Sequence, residues 1–216
     1  MTPSRAVLFD LDGTLADTAP DLAAALNRLR ADQSLGPLPL EQLRPFASAG
    51  ARGLVHVGFG SKPGDSEYAS LRAAFLEYYA ERTCVETRLF PGIAELLEEI
   101  ARRSIAWGVV TNKATRFTER VLGGLGLAPA CVVCGDSTPH LKPHPAPMRL
   151  AAEQLSLPPQ DCVYLGDDLR DIQAAHAAGM RAVAVDWGYH HPDSGEPGTW
   201  QADAHISQPR DLLRLL

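Results

Sequence analysis

The sequence predicts an α/β fold: a doubly wound, Rossmann-like parallel sheet with a small all-helical domain inserted after its first strand. Short, continuous apolar runs predict strands covered on both faces, as in parallel sheets; they lie at residues 6–9, 106–110, 131–133, 162–165 and 182–185. Helical patterns alternate with the later strands, which indicates βαβ units; they lie at residues 93–103, 115–126, 145–156 and 169–179.

The long segment between the first two strands reads as a helical insertion. It is far longer than one crossover needs, and its patterns predict helices at residues 20–33, 40–49, 52–59 and 66–83. The stretch "TAPD" predicts the start of the first helix, with Thr18 as its cap and Asp21 three residues on. We therefore assign residues 1–15 and 86–216 to an α/β core domain and residues 16–85 to a helical cap domain.

Composition narrows the class of protein. The chain has 216 residues, 45% of them hydrophobic, and a formal net charge of −6. A nucleic-acid-binding protein normally presents a basic face, so we expect no nucleic-acid partner. No apolar stretch approaches the ~18 residues that a membrane span needs, and the N-terminus lacks the apolar region of a signal peptide. We therefore expect a cytoplasmic protein without a membrane partner, and either a monomer or a homodimer.

The four cysteines should remain reduced in that compartment. Cys131 and Cys134 form a C-x-x-C, but they lie in a strand-like run, where residues three apart point to opposite faces. We expect buried core thiols here rather than a metal clip or a disulfide.

Polar residues follow four of the predicted strands. They are Asp10 and Asp12 after the first strand, Thr111, Asn112 and Lys113 after the second, Lys142 beyond the third, and Asp167, Asp168 and Asp171 after the fourth. Ligands of open parallel sheets bind beyond the carboxyl ends of the strands, so we expect these side chains to meet at one rim.

Converging carboxylates need cations. Two carboxylates ~4 Å apart repel each other by about 1 kcal/mol in water and about 4 kcal/mol at an effective dielectric of 20. Lys142 supplies one positive charge, and a divalent metal is the natural second. Oxygen ligands without histidine or thiolate favour Mg²⁺ over zinc.

The segments "DLDGT", "VVTNK", the lysine of "LKPHP" and "GDDLRD" resemble the four ordered motifs of the haloacid dehalogenase superfamily of phosphotransferases. The resemblance covers the whole chain, and the insert resembles that superfamily's helical cap of the first type. The stretches "LFPGIAELL" and "WGVVTNK" are similar to bacterial phosphoglycolate phosphatases. The stretches "GARGLV" and "GYHHPD" are similar to the related N-acetylmuramic acid 6-phosphate phosphatases.

The resemblance implies a Mg²⁺-dependent phosphomonoester hydrolase of the phosphoglycolate phosphatase type. Asp10 would be the nucleophile that forms an aspartyl-phosphate, and Asp12 the general acid and then the general base. Thr111 and Asn112 would bind the phosphoryl group, and Lys142 would neutralise its charge. The implied metal ligands are the Asp10 side chain, the Asp12 backbone carbonyl and the Asp167 side chain.

The sequence alone leaves the roles of several residues open. Asp171 would order the motif loop or a metal-bound water, whereas Asp168 is explained equally well by helix N-terminal acidity. Lys113 is as readily a solvated lysine as a ligand. Gly50 and Arg52 lie in "SAGARGL", which resembles the cap loop that lowers onto the substrate. Arg52 could bind a carboxylate of the leaving group, or face solvent.

His190 and His191 follow the fifth strand at the same rim, and histidines in such loops are more often simple loop residues than substrate contacts.

Four alternative functions remain. An N-acetylmuramic acid 6-phosphate phosphatase differs only in substrate, and a sugar-phosphate mutase would share every motif. A haloacid dehalogenase proper would need neither Asp12 nor magnesium. A phosphoacceptor signalling switch would have a shorter chain and would not carry its acceptor on the first strand.

Overall fold

The computed structural model describes residues 5–216. Its strands within that range are β1 Ala6–Phe9, β2 Ala16–Asp17, β3 Arg88–Leu89, β4 Ala106–Val110, β5 Cys131–Val133, β6 Cys162–Gly166, β7 Arg181–Val185 and β8 Ala204–Ile206. Six of them form one sheet in the order β5-β4-β1-β6-β7-β8, and every pair in that sheet is parallel.

The helices flank this sheet and form the insertion. They are α1 Ala19–Asp32, α2 Leu40–Leu43, α3 Gly50–Phe59, α4 Tyr68–Arg82, α5 Ile93–Arg102, α6 Thr115–Gly124, α7 Ala146–Gln154 and α8 Leu169–Ala178. A 3₁₀ helix at Arg44–Ala49 connects α2 to α3. None of the helices described is both long enough and apolar enough to cross a bilayer.

Strand β1 lies at the centre of the sheet and is buried along its whole length. Phe9, its last residue, is level with Val109 of β4 and Leu165 of β6. The segments that leave these three strands therefore start side by side. The predicted doubly wound α/β fold is confirmed, and each of the five predicted strands is present to within one residue at either end.

Strand β8 was missed because its sequence carries no continuous apolar run. Of its three residues only Ile206 is buried, as suits the edge of a sheet. The two-residue strands β2 and β3 were also missed. They pair antiparallel, with Ala16 opposite Leu89, where the chain enters and leaves the helical insertion. Helices α1–α4 lie between them, and the domain limits at residues 15 and 85 stay a prediction.

The predicted capping role of Thr18 is wrong. Thr18 precedes α1, but its side chain makes no hydrogen bond to the helix, because its hydroxyl donates to the Asp12 carboxylate instead. Asp21 does not reach back to the cap either. Its buried carboxylate accepts hydrogen bonds from the backbone N–H groups of Val85, Glu86 and Thr87 at 2.9–3.1 Å. Asp21 therefore ties the start of the insertion to its end.

The cysteines are free thiols, and Cys131, Cys134 and Cys162 are buried. Burial raises the pKa of Cys131 and of Cys162 to about 11. Both thiols therefore remain protonated at neutral pH, which suits a core role.

Asp21→Ala should lower the free energy of unfolding by roughly 2–4 kcal/mol, because it removes a charged acceptor from buried donors. The Thr87 hydroxyl, which donates to Asp21 at 2.7 Å, loses its partner as well. Urea denaturation followed by circular dichroism measures the change. Asp32→Ala is the matched control, since Asp32 lies on the same helix and is exposed. Equal stability of the two variants would show that Asp21 does not hold the ends of the insertion together.

Candidate active site

A cavity of about 860 Å³ lies between the carboxyl ends of the central strands and the helical insertion. The core contributes most of its polar walls, and the insertion contributes apolar side chains and two arginines. The sequence-predicted residues that line it are Asp10, Asp12, Gly50, Arg52, Thr111, Asn112, Lys113, Lys142, Asp168 and His191. Six segments that are distant in sequence thus reach one cavity.

Asp10 is the first residue after β1. Its backbone N–H donates to the Leu165 carbonyl at 2.9 Å, which continues the pairing of β1 with β6. One of its carboxylate oxygens, Oδ1, accepts from the Leu11 N–H at 2.8 Å. The side chain is therefore held at the end of a buried strand and opens onto the cavity.

Lys142 is the central cation of the site, and its side chain is only 1% exposed. Its Nζ lies 2.8 Å from Asp10 Oδ1 and 2.7 Å from Asp171 Oδ1. It also donates to the Tyr164 hydroxyl at 2.8 Å and to the Val110 carbonyl at 3.1 Å. Burial alone would lower the pKa of Lys142, but the charges of Asp10 and Asp171 outweigh this effect and raise it. Lys142 is therefore charged throughout the neutral range.

Asp10, Asp167 and Asp171 form a buried acid cluster in which one oxygen of each lies within 4.8 Å of the others. Burial raises the pKa of Asp10 to about 6, with the neighbouring carboxylates adding to the effect against Lys142. Burial, together with Asp10 and Asp171, raises the pKa of Asp167 to about 8. The cluster thus carries more negative charge than its surroundings balance, and its three oxygens could hold a metal ion.

Hydrogen bonds fix the orientation of Asp167. It accepts from the Thr14 hydroxyl at 3.0 Å, from the Tyr189 N–H at 2.8 Å and from the Ser48 hydroxyl at 3.1 Å. Ser48 belongs to the helical insertion, so a cap residue contacts the acid cluster directly. Tight backbone turns surround the same carboxylate: a Cβ added at Gly13 or Gly188 would lie 2.1 Å from an Asp167 atom.

Asp168 and Asp171 begin helix α8 as a capping box. Asp168 accepts from the Arg170 N–H at 3.0 Å, and Asp171 accepts from the Asp168 N–H at 3.1 Å. The Arg170 guanidinium pairs with Asp168 at 3.1 Å and donates to the Ser48 carbonyl at 2.6 Å. Asp168 therefore has a structural role in the helix, although it also faces the cavity.

Asp12 lies beside the cluster and is paired with Lys113. The Lys113 Nζ is 2.8 Å from Asp12 Oδ1, and the lysine side chain is 7% exposed. The expectation that Lys113 could be a solvated lysine is therefore wrong. Burial alone would lower the pKa of Lys113, but the charge of Asp12 outweighs this effect and raises it.

Thr111 and Asn112 directly follow β4 and line the cavity. Thr111 is buried, and its hydroxyl accepts from the Lys113 N–H at 3.2 Å. The Asn112 amide spans the gap to Lys142: its Oδ1 accepts from the Lys142 N–H at 2.9 Å, and its Nδ2 donates to the Lys142 carbonyl at 3.1 Å. The Asn112 side chain thus holds the Lys142 backbone in place.

The remaining predicted residues separate into two groups. Gly50 and Arg52 lie at the start of α3 and line the cavity, and the Arg52 side chain is exposed. His191 also lines it and packs edge-on against Phe46, with 5.4 Å between ring centroids. His190 does not reach the cavity. Its ring lies 2.9 Å from the Val185 carbonyl and contacts Trp200.

Sequence reasoning missed Ser48, Tyr164, Arg170 and Tyr189. Tyr189 accepts from the backbone N–H of Thr18 at 2.6 Å and donates to Asp17 at 2.9 Å, across more than 170 residues of chain. Tyr164 lies inside an apolar strand, where its hydroxyl carries no recognisable signal. Arg170, Ser48 and Tyr189 stand in the quoted stretches "GDDLRD", "SAGARGL" and "GYHHPD", so their positions in those motifs were the available hints.

The comparisons with known proteins agree with this arrangement. Residues 7–185 match the family model described as haloacid dehalogenase-like hydrolase. The chain is 42% identical over 214 residues to the N-acetylmuramic acid 6-phosphate phosphatase of Pseudomonas putida, covering 98% of this chain and 96% of the relative. It is 41% identical over 210 residues to the phosphoglycolate phosphatase of Xanthomonas campestris pv. campestris, covering 96% and 94%.

A solved structure shares the architecture. The crystal structure of a predicted phosphoglycolate phosphatase from Haemophilus somnus superposes with a TM-score of 0.86 at 29% identity, over 100% of this chain and 99% of that chain. Because the family model spans most of the chain and both relatives align along nearly all of it, the protein belongs to the haloacid dehalogenase-like hydrolases.

Proposed function

We propose that the protein is a Mg²⁺-dependent phosphomonoester hydrolase that works through an aspartyl-phosphate on Asp10. The observation that carries the proposal is the contact of Lys142 Nζ with Asp10 Oδ1 at 2.8 Å, next to the acid cluster and below the cavity. A carboxylate held in this way can attack the phosphorus of a bound ester and divide one difficult displacement into two steps. The names of the relatives, both phosphatases, support the same reaction class.

In the first step, the Asp10 carboxylate attacks phosphorus in line with the departing oxygen. Lys142 is buried and charged, so it offsets the negative charge that gathers as the phosphoryl group approaches Asp10. Thr111 and the backbone N–H groups after β4 face the same space and can donate to the phosphoryl oxygens.

Asp12 acts as the general acid and then as the general base. It protonates the departing oxygen in the first step and accepts a proton from the hydrolytic water in the second. The turn after β1 carries Asp12 to the cavity wall beside Asp10. The insertion covers this space and limits the access of bulk water during the first step.

The charge and chemistry of the site fit a divalent cation. The acid cluster brings together the carboxylates of Asp10, Asp167 and Asp171. Among residues 5–216, the cation that forms ion pairs with this cluster is Lys142. The excess of negative charge and the oxygen-only donors favour Mg²⁺, held by the Asp10 and Asp167 side chains and the Asp12 carbonyl. Such an ion supplies charge neutralisation and alignment of the phosphate.

We assign a small phosphorylated carboxylic acid of the phosphoglycolate type as the substrate. Two arginines of the insertion, Arg52 and Arg72, line the cavity and have no ion-pair partner among residues 5–216, and we assign Arg52 to the carboxylate. A guanidinium group binds a carboxylate through two parallel hydrogen bonds. The second candidate is N-acetylmuramic acid 6-phosphate, because a cavity of about 860 Å³ has room for an amino sugar and because the Pseudomonas putida relative carries that name.

Asp10→Asn should abolish turnover while the fold stays intact, because an amide cannot form the phosphoryl ester. We expect a loss on the order of 10⁴-fold or more in phosphate release, measured with Mg²⁺ over a panel of phosphorylated metabolites. Circular dichroism checks the fold, and Asp32→Asn, an exposed surface change, serves as the control. Strong Mg²⁺-dependent hydrolysis by Asp10→Asn would overturn the assignment of the nucleophile.

The metal-free protein should lose stability through Asp167 as the pH rises from about 4 to about 8. The pKa of this group rises from an ordinary 3.8 to about 8 on folding, so the folded state binds more protons over that interval. The free energy of unfolding then falls with pH, by at most about 1.4 kcal/mol per pH unit for one group.

Chemical denaturation in the presence of a chelator measures this dependence, and Asp167→Asn is the comparison because an amide does not titrate. The stability of the native chain relative to this variant should decrease as the pH rises, and saturating Mg²⁺ should reduce the decrease. Parallel stability curves for the two proteins would contradict the raised pKa.

His191→Ala should separate the two substrates. The His191 ring lines the cavity, so its loss should lower kcat/KM by roughly 10-fold for the larger amino sugar and by less than about 3-fold for phosphoglycolate. His205→Ala is the control, because His205 is exposed on β8 and pairs with Asp186. Equal losses on both esters would remove the support for discrimination by this loop.

A further inference from the structure

Lys113 has two partners that come from different parts of the chain. Its Nζ is 2.8 Å from Asp12 Oδ1 in the loop after β1. It also lies 4.7 Å from the centroid of the Tyr79 ring, on helix α4 of the insertion. Tyr79 is 1% exposed, so its aromatic face covers the ammonium group. Lys113 is therefore confined between the catalytic loop and the cap.

The Asp12 carboxylate is held on one side only. Its Oδ1 accepts hydrogen bonds from Lys113 Nζ and from the Thr18 hydroxyl. Among residues 5–216, its Oδ2 has no hydrogen-bonding partner, and Asp12 lines the cavity. A carboxylate with one oxygen fixed by two donors and the other free is oriented to exchange a proton at the free oxygen.

A purely structural ion pair explains this arrangement less well. Lys142 is the lysine that pairs with Asp10 and Asp171 of the acid cluster, whereas Lys113 pairs with Asp12. A buried ion pair also contributes little net stability, because desolvation opposes the attraction of the charges. Lys113 and Thr18 instead share one property, which is that both contact the same oxygen of Asp12.

We propose that Lys113 is a positioning residue that orients Asp12 for proton transfer, with Thr18 as the second donor and Tyr79 holding the ammonium group against the loop. The inference rests on the proposed function and adds a residue to it. In the first step, an Asp10 oxygen bonds to phosphorus, the bond from phosphorus to the ester oxygen breaks, and the proton passes from Asp12 Oδ2 to that departing oxygen. In the second, water gives its proton to Oδ2 while its oxygen bonds to phosphorus and the Asp10–phosphorus bond breaks.

The test compares two esters that differ in their need for an acid. An alkyl phosphate needs a proton on its departing oxygen, whereas p-nitrophenyl phosphate releases a stable phenolate without one. Lys113→Met keeps the length of the side chain and removes its charge. We expect it to lower kcat/KM for the alkyl ester by about 100-fold, within the range of general acid–base catalysis. For p-nitrophenyl phosphate, kcat/KM should fall by less than about 5-fold. Its kcat should fall further, because the attack of water on the phosphoenzyme still needs Asp12. The phosphoenzyme should therefore accumulate in rapid-quench experiments.

Two further variants separate positioning from a structural role. Lys113→Arg, which keeps the charge and the donors, should recover most of the activity on the alkyl ester. In an Asp12→Asn background, Lys113→Met should cause no further loss beyond about twofold, because residues that act as one unit are not additive. Equal losses on both esters, or additive losses in the double variant, would overturn the inference.

Thr18→Val provides a second route if Lys113→Met fails to fold. It removes the other donor to Asp12 Oδ1 with little change in volume, and the same selective loss on the alkyl ester is expected. An equal loss on both esters would count against the inference here too. Failure of the proposed function gives a different result: the native enzyme would form no phosphoenzyme, or Asp10→Asn would remain active.

Discussion

The ammonium group of Lys142 lies between Asp10 and Asp171 with almost no exposure to water, and the acid cluster depends on this contact. Parallel strands direct their carboxyl ends to one rim, so the fold brings together charges of one sign that repel each other strongly once buried. One buried cation pairs with two of the three carboxylates, while burial, together with the neighbouring acids, raises the pKa of Asp10 and of Asp167. The three buried carboxylates lie close enough together that they could hold a metal ion.

The lysine is itself positioned by backbone and side-chain contacts from the neighbouring strands. Asn112 holds its main chain through both atoms of the amide group. The Tyr164 hydroxyl and the Val110 carbonyl accept from its Nζ. Asn112 therefore acts on the site indirectly, by fixing where the Lys142 charge lies, whereas Thr111 lines the cavity itself. This division was not visible in the sequence, where Thr111 and Asn112 looked alike.

Local patterns predicted the fold well, because a buried parallel strand is a continuous apolar run and an amphipathic helix has its own period. They also predicted that the polar residues following those strands would lie at one rim. In the structure the short strands β1, β4 and β6 end level with one another to within one residue, which brings those residues together. Local patterns cannot predict which residues are buried by segments distant in sequence. The sequence left Lys113 open between a solvated lysine and a ligand, because the ring that covers it, Tyr79, belongs to the insertion. Tyr189 and Ser48 contact the site through similarly long-range packing.

The close backbone around Asp167 has a consequence for how the protein can be altered. A Cβ added at Gly13 would lie 2.1 Å from a carboxylate oxygen of Asp167, and one added at Gly188 would lie 2.1 Å from the Asp167 Cβ. Random mutagenesis should therefore find these two positions closed to substitution, although neither has a side chain that takes part in the chemistry. Variation that reshapes the cavity for new substrates is then expected at wall positions away from Asp167, including those that the insertion supplies.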